Sequence, residues 1–545
     1  MKIQFLGATK MVTGSNYLIT TENEKFIIDC GLFQGGKEEE RLNEEPFKFS
    51  PEELDFAILT HAHIDHSGRI PLLVKKGFKK NIYATKATVD LCNIMLLDSA
   101  KIQEADVEWE NKKRMRAGKP LLEPLYTTSD AESSLNKFRS CYYNELVVIN
   151  DNITARFTDA GHILGSSIVE LWIKEGGKTS KLVFSGDLGM PNKPILNNPS
   201  YVEEADYVII ESTYGNTVHE SFGNNISELI KIIDDTSLKG GTVIIPSFAV
   251  GRTQEIIYEL NNYYENNEDL EYNKRIPIYV DSPMAVRATE AFMENTYFFN
   301  KETKDLILSG DNVFEFENLR YVTSTDESVA LNKVKFPRVI ISSSGMATAG
   351  RVRHHLKHNL WDENSAVVFV GYQANGTLGR LLLDGKKEVK ILGEEIFVKA
   401  RIHSLKGFSG HADEPMLLDW LGRFTKKPKK VFIVHGEDDE QIPFCKTLRQ
   451  NLNLNCVIPE LYEEFELELS ESQEYKELGK EEMEKNLYFE FEKLVNELKA
   501  IQDKNLAINF KDVDSKKYFD IRRNLNEIED NMMELAKYLD DGKKS

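Results

Sequence analysis

Up to about residue 460 the chain alternates short apolar runs with amphipathic helical stretches. The runs KLVFSGD (181–187), YVIIEST (207–213), TVIIPSF (242–248), PIYVDSP (277–283), RVIISSS (338–344), AVVFVGY (366–372) and KVFIVHGE (430–437) are rich in Val and Ile and lead into Gly, Ser or Asp. Strands that are apolar on both faces suit a parallel sheet covered by helices, so the pattern predicts an α/β fold. LDFAIL (54–59) reads as a further buried strand, and SGRIPLLVKKG after it as a helix capped by Ser67. No repeat or low-complexity tract interrupts the alternation. Beyond about residue 465 the period changes. Tyr518, Ile521, Leu525, Ile528, Met532, Leu535 and Leu539 alternate steps of three and four, a heptad seam. Leu487, Phe491, Leu494, Leu498 and Ile501 form a second stripe, and the two together predict an antiparallel helical hairpin. Such a hairpin either docks on the α/β part of its own chain, self-associates into a homodimer, or takes a foreign partner.

At 545 residues the chain is long enough for two or three domains. Residues 1–20 lack a basic-then-apolar leader pattern, and no run of about 18 apolar residues suggests a membrane span. Five cysteines lie scattered, never as C-x-x-C, which points to a reducing, cytoplasmic compartment. The net charge of −20 argues against nucleic-acid binding through overall charge. Residues 460–545 alone hold 24 acids against 14 bases, half of that excess, so this tail is not expected to touch RNA. Basic clusters at 112–119 (KKRMRAGK), Arg252 and 351–358 (RVRHHLKH) read as solvated helix faces unless the fold carries them to a site. His354, His355 and His358 are expected on a helix surface.

The strongest chemistry lies in THAHIDHSG (60–68), which sets His61, His63, Asp65 and His66 on one turn behind an apolar strand. Imidazole nitrogens and carboxylates at this spacing suit zinc or a similar divalent ion. His61 and His63 can point the same way from an extended segment, while Asp65 and His66 fall where the chain bends into a helix. This hexad resembles the signature of the metallo-β-lactamase superfamily. The resemblance implies further ligands at distant strand ends: His162 in TDAGHILGSS, Asp187 in LVFSGDLG and His411 in GFSGHADE. It implies one ion on His61, His63, His162 and Asp187, and a second on Asp65, His66, Asp187 and His411. Asp29 in FIIDCG fits a group that orients a ligand histidine. His411 lies some 220 residues after Asp187, so a large insertion is expected between them.

Within that interval ESTYGN (211–216), PSFAVGRTQE (246–255), DSPMA (281–285), SSSGMATAGRVRHHL (342–356), GYQANGTLGRLL (371–382) and FSGHAD (408–413) follow in order. Together they resemble the β-CASP branch, whose members cut RNA or DNA. Over roughly residues 1–460 the chain is most similar to prokaryotic ribonucleases related to the nuclease subunit of the cleavage and polyadenylation specificity factor. The resemblance implies a metallo-β-lactamase αββα sandwich (1–207 and 396–464), an inserted α/β β-CASP domain (208–395) and the acidic helical hairpin (465–545). It implies a metal-dependent ribonuclease, endonucleolytic and also 5′→3′ exonucleolytic. Two divalent ions, zinc by family habit, would activate a hydroxide and leave 5′-phosphate and 3′-hydroxyl ends on single-stranded RNA. The expected catalytic set is Asp65, Asp187, Glu211 and Asp29. Ser247, Arg252, Ser343, Ser344, Gly345, Arg380 and His403 are candidate phosphate contacts, with His435 in a similar or ligand-orienting role. Phe248 would lie against a base. Some relatives carry a histidine in the GTL segment, whereas Leu381 follows Arg380 here. The leaving-group proton is therefore left between a metal-bound water, Glu211 and no single group. Two other classes stand beside the ribonuclease: a metallo-hydrolase acting on DNA or another substrate, and a non-catalytic RNA-binding scaffold. The filled ligand positions weigh against the scaffold.

Overall fold

The computed structural model of the chain describes residues 1–219, 222–266, 276–374, 376–405 and 409–470. Two seven-stranded sheets face each other. The first runs, in spatial order, Glu464–Glu466, Lys2–Phe5, Tyr17–Thr20, Lys25–Ile28, Phe56–Ile58, Ile82–Thr85 and Phe138–Cys141. The second runs Cys456–Val457, Lys430–Ile433, Tyr207–Ile210, Lys178–Phe184, Ser167–Glu175, Ile153–Asp159 and Leu146–Val148. Between them Ile3, Phe5, Phe26, Ile28 and Phe56 interlock with Phe157, Leu171, Phe184, Ile209 and Phe432. The Phe26 and Phe56 rings stack 4.4 Å apart within that layer.

The outer faces are covered by helices. Leu73, Leu91 and Leu96, on Ile70–Lys75 and Lys86–Arg116, pack over Ile27, Ala57 and Ile82 of the first sheet. Leu417, Trp420, Leu421 and Phe444, on Glu414–Gly422 and Asp438–Thr447, cover Val183, Val208, Val431 and Ile433 of the second. The result is an αββα sandwich.

A third sheet of six strands is inserted, in the order Leu319–Tyr321, Ile278–Val280, Arg338–Ser342, Thr242–Pro246, Ala366–Phe369 and Arg401–Ser404. Every pairing in it is parallel. Its apolar runs are buried on both faces, under Leu229, Ile256 and Leu260 on one side and Val352, Leu356 and Leu382 on the other. The inserted domain thus has the parallel, helix-covered sheet that its Val/Ile runs predict.

Four details depart from the sequence pattern. The sandwich sheets are mixed: Lys2–Phe5, Tyr17–Thr20 and Lys25–Ile28 pair antiparallel, as do the four strands from Leu146 to Phe184. Apolar runs report burial, not strand direction, and only the tight turns between these strands impose the meander. Ser67 caps nothing. It closes the short helix Ile64–Ser67 and donates to the Ala62 and His63 carbonyls, while the next helix starts at Ile70 with Pro71 in its first turn. His355 is fully buried rather than on a helix surface, because a buried Asp281 awaits it. Finally, Arg401–Ser404 completes the inserted sheet, so the chain rejoins the sandwich after Ser404 and not at 396. The heptad seam and its companion stripe lie outside the described residues. Among the described residues no helix is long and apolar enough to cross a membrane.

Candidate metal centre

The strand Phe56–Ile58 delivers the chain to Thr60, after which His61 and His63 lie extended and Asp65 and His66 enter the turn Ile64–Ser67. Gly31 makes this bend possible. A Cβ there would lie 1.6 Å from the Asp65 carbonyl oxygen, a distance no side chain tolerates. His162 follows the strand Ile153–Asp159, and Asp187 follows Lys178–Phe184. His435 follows Lys430–Ile433 with its backbone in the left-handed region (φ 51°).

These residues converge on Asp187. Ligand atoms of His61, His63, His162 and Asp187 all lie within 4.8 Å of one another, as do those of Asp65, His66, Asp187 and His435. The Asp187 carboxylate divides between the groups. Its Oδ2 is 3.4 Å from His61 Nε2 and 3.6 Å from His162 Nε2. Its Oδ1 is 3.3 Å from His66 Nε2 and 3.7 Å from His435 Nδ1. Both oxygens are buried and lack a hydrogen-bond donor among the described residues. Around them, His63 Nδ1 is 3.2 Å from His61 Nε2 and 3.1 Å from His162 Nε2. Burial and the neighbouring His61 push the His63 imidazole down to about 3, and burial drives His162 well below its ordinary value. Neutral imidazoles turning nitrogens toward one another and toward a bare carboxylate form the donor set that divalent cations fill.

The surrounding groups orient those donors. Asp29 Oδ1 accepts from the Thr60 N–H (2.8 Å), and Oδ2 accepts from the Thr60 hydroxyl (2.9 Å) and from His66 Nδ1 (2.7 Å). His66 is thereby left with Nε2 toward Asp187. His162 Nδ1 donates to the Gly410 carbonyl (3.0 Å), which frees Nε2 in the same way. Burial would lower the His66 imidazole, yet the Asp187 and Asp29 carboxylates hold it well above its ordinary value.

His411, which the resemblance placed with Asp65 and His66, falls instead in a third group of donors with Asp187 and Glu211. Its Nδ1 is 3.2 Å from Glu211 Oε1 and 3.9 Å from Asp187 Oδ2, while His435 joins Asp65 and His66. Glu211 is buried, and its oxygens also accept the Leu188 N–H (2.7 Å) and the Thr213 N–H (3.2 Å). Burial would lower the His411 imidazole, but Glu211 chiefly, and Asp187 with it, raise it above its ordinary value. Spacing could not separate His411 from His435, since each follows an apolar run in a small-residue loop. Tyr214, from the ESTYGN segment, and His219, unmarked by any sequence signal, also belong to this corner. Their rings lie 4.5 Å apart, and His219 Nε2 donates to the His411 carbonyl (3.2 Å).

The candidate phosphate contacts are less uniform. Arg252 is buried beside Glu255, and a Cβ added at Gly410 would lie 3.6 Å from Arg252 Nη2 and 3.1 Å from the His162 ring, so the guanidinium borders the centre. Ser247 is buried, and its hydroxyl accepts from Thr253 (3.0 Å). The Ser343 hydroxyl donates to that of Ser282 (3.0 Å). The Ser344 hydroxyl accepts the N–H groups of Thr348 and Ala349 (both 3.2 Å), turning those donors inward. Gly345 backs onto the exposed Phe248 ring. Arg380 pairs with Asp384 (2.9 Å) on the exposed side of its helix. His403 sits on the edge strand Arg401–Ser404, its Nε2 without a hydrogen-bond partner among the described residues.

Three family models match the chain: the metallo-beta-lactamase superfamily over residues 11–133, the Beta-Casp domain over 253–382, and the Zn-dependent metallo-hydrolase RNA specificity domain over 395–459. A Thermus thermophilus protein named as a ribonuclease is 40% identical over 449 residues, covering 82% of this chain and 96% of its own. A transcription termination factor, FttA, of Methanocaldococcus jannaschii is 32% identical over 469 residues, 84% of this chain and 70% of its own. An RNase J-like protein of the same organism is 30% identical over 460 residues, 84% of this chain and 97% of its own.

Proposed function

The chain belongs to the metallo-β-lactamase superfamily, in its β-CASP branch, and from that membership we infer that it is a metal-dependent ribonuclease. One observation carries the reading: a buried carboxylate, Asp187, whose two bare oxygens each face their own group of histidines. We assign His61, His63, His162 and Asp187 Oδ2 to one divalent ion, and Asp65, His66, His435 and Asp187 Oδ1 to a second, both zinc. Bound there, such ions polarise the scissile phosphate and lower the pKa of an attacking water.

The chain's own groups do the rest. Asp29 holds the His66 tautomer. Arg252, at the edge of the centre, offers positive charge to the non-bridging phosphate oxygens. His411 acts as the acid for the departing ribose oxygen. Glu211 Oε1 faces the imidazole Nδ1 and favours its protonated form, and the ring's other nitrogen donates the proton. On this reading no histidine is needed in the GTL segment, where Leu381 follows Arg380. Protonating a 3′-oxygen leaves 3′-hydroxyl and 5′-phosphate ends. RNA is the substrate, cut internally and also trimmed 5′→3′, in a reducing cytoplasm that suits five free, buried cysteines. The C-terminal hairpin expected over 465–545 would join two chains as a homodimer.

The test is cleavage of a 5′-labelled single-stranded RNA and its DNA counterpart by wild type and His63→Ala, with zinc and with chelator. Internal cuts in RNA alone, lost with either the substitution or the chelator, are the expected result. Equal cutting of DNA would move the enzyme to the DNA-acting members of the branch.

A further inference from the structure

Three neighbouring strands of the inserted sheet end at one level. Parallel pairing sets Ile244 beside Val367 and Pro246 beside Ser342, so Phe248, Tyr372 and the Ser343–Gly345 turn share the C-terminal edge of the sheet. Open α/β sheets hold their ligands at that edge. Phe369 on this sheet is completely buried, yet Phe248 and Tyr372, just past the strand ends, are each 40% exposed. Phe248 is braced by backbone: a Cβ at Gly345 would come within 2.9 Å of its ring and one at Gly371 within 3.6 Å. Its remaining surface is turned outward. Among the described residues neither ring stacks on another aromatic.

Tyr372 leans toward the metal-bearing half of the molecule. The charges that bear on it include Glu437, Asp439 and Glu440, from the segment just after His435, with Arg380 opposing them. It also lies close to Tyr214, whose hydroxyl pairs with Ser409 and whose ring is 6.2 Å from that of His411. The acidic neighbours repel phosphate at this point. What they leave to recognise is the uncharged face of a nucleobase, which an exposed ring stacks on without regard to sequence.

We propose that Tyr372 and Phe248 are a stacking platform for two nucleobases beside the cleaved phosphate, an assignment that rests on the ribonuclease reading above. It explains how an acidic surface retains RNA: bases are held at this sheet edge and phosphate at Arg252 and the metal centre.

The test uses the full chain and single-stranded RNAs in which one abasic nucleotide is moved across the cut site. Cleavage is read as kcat/KM, and binding is read by fluorescence anisotropy with chelator present. For wild type, an abasic nucleotide at one position per ring is expected to cost about 10- to 100-fold in both. Tyr372→Ala should lose about the same on intact RNA and nothing further from the abasic nucleotide at its position, and Phe248→Ala likewise at its own. Tyr372→Phe should match wild type, as should Trp361→Ala, which removes an exposed ring outside this edge. The proposal is overturned if Tyr372→Ala equals wild type, or if its penalty multiplies with that of every abasic position. If wild type cuts none of the RNAs, the ribonuclease reading fails by itself. Anisotropy then judges the platform alone, and equal binding of intact and abasic RNA rejects it.

Discussion

His411 and His435 have side chains of the same type and differ in what they face. His435 turns its ring to Asp187 and Asp65, at 3.7 and 3.4 Å, whereas His411 turns to Glu211 at 3.2 Å. Replacing each with alanine should therefore give different failures. His435→Ala should lose metal, measured by elemental analysis, along with all cleavage. His411→Ala should keep its metal and drop kcat by roughly 100- to 10,000-fold on RNA. On a p-nitrophenyl phosphodiester, whose leaving group needs no proton, the His411→Ala defect should shrink to a few-fold; a defect of equal size on both substrates rejects the acid role. Asp29→Asn tests the oriented His66 in a similar way. An amide can present N–H where the carboxylate accepted, so metal affinity should fall about 10- to 100-fold, read by competition with a chromogenic chelator.

At the scale of elements, the loops at strand ends are held from behind by buried polar groups. Asp281, after Ile278–Val280, accepts from His355 Nε2 (2.6 Å) and Arg351 Nη1 (2.6 Å), and the Ser342 hydroxyl donates to its carbonyl (2.8 Å). The turn carrying Ser343–Gly345 is thus tied to a buried carboxylate. Asp281→Ala strands the guanidinium and imidazole and should cost about 3–5 kcal/mol in urea denaturation. Asp159, at the end of Ile153–Asp159, braces the His162 loop through the Gly161 N–H (2.8 Å) and Asn197 Nδ2 (3.1 Å). Burial pushes its carboxyl up to about 7, against the pull of those hydrogen bonds. The folded chain therefore binds this proton more tightly than the unfolded one. The resulting stability is complete below about pH 3.9 and is lost as pH rises through about 7, by up to about 4 kcal/mol. Asp159→Asn should flatten that part of the stability–pH curve; an unchanged slope would assign it to other groups.

For the whole molecule, the contacts between sandwich and insertion lie close to the metal loop. Lys193 Nζ is 2.8 Å from Glu255 Oε1, and both side chains are buried. Asn300 N–H donates to the Ile195 carbonyl (2.7 Å), and Arg287 reaches Asp98 (3.4 Å). Glu255 also holds Arg252, so one carboxylate joins the seam between the two folds to the cation beside His162. The proposed homodimer is tested separately. Light scattering of the full chain should give a dimer mass, and Leu525→Lys with Leu535→Lys should halve it while leaving metal content unchanged. A monomer mass for the unsubstituted chain removes the homodimer from the proposal.

Local sequence determined much of this protein. Val/Ile runs marked the parallel sheet because burial on both faces demands apolar residues at every position. H-x-H-x-D-H marked the centre because its donors are neighbours along one turn. What lay beyond was decided by tertiary packing. Strand direction in the sandwich follows the connections between strands, which hydropathy does not record. That His435 rather than His411 joins Asp65 and His66 depends on two loops that reach Asp187 across a long insertion. Their order in space is set by which strand pairs with which: Lys430–Ile433 lies against Tyr207–Ile210, next to the strand that carries Asp187. His355 read as a surface residue because its partner, Asp281, lies 74 positions away. Spacing encodes what one turn brings together, and only the closed core chooses among donors that are distant along the chain.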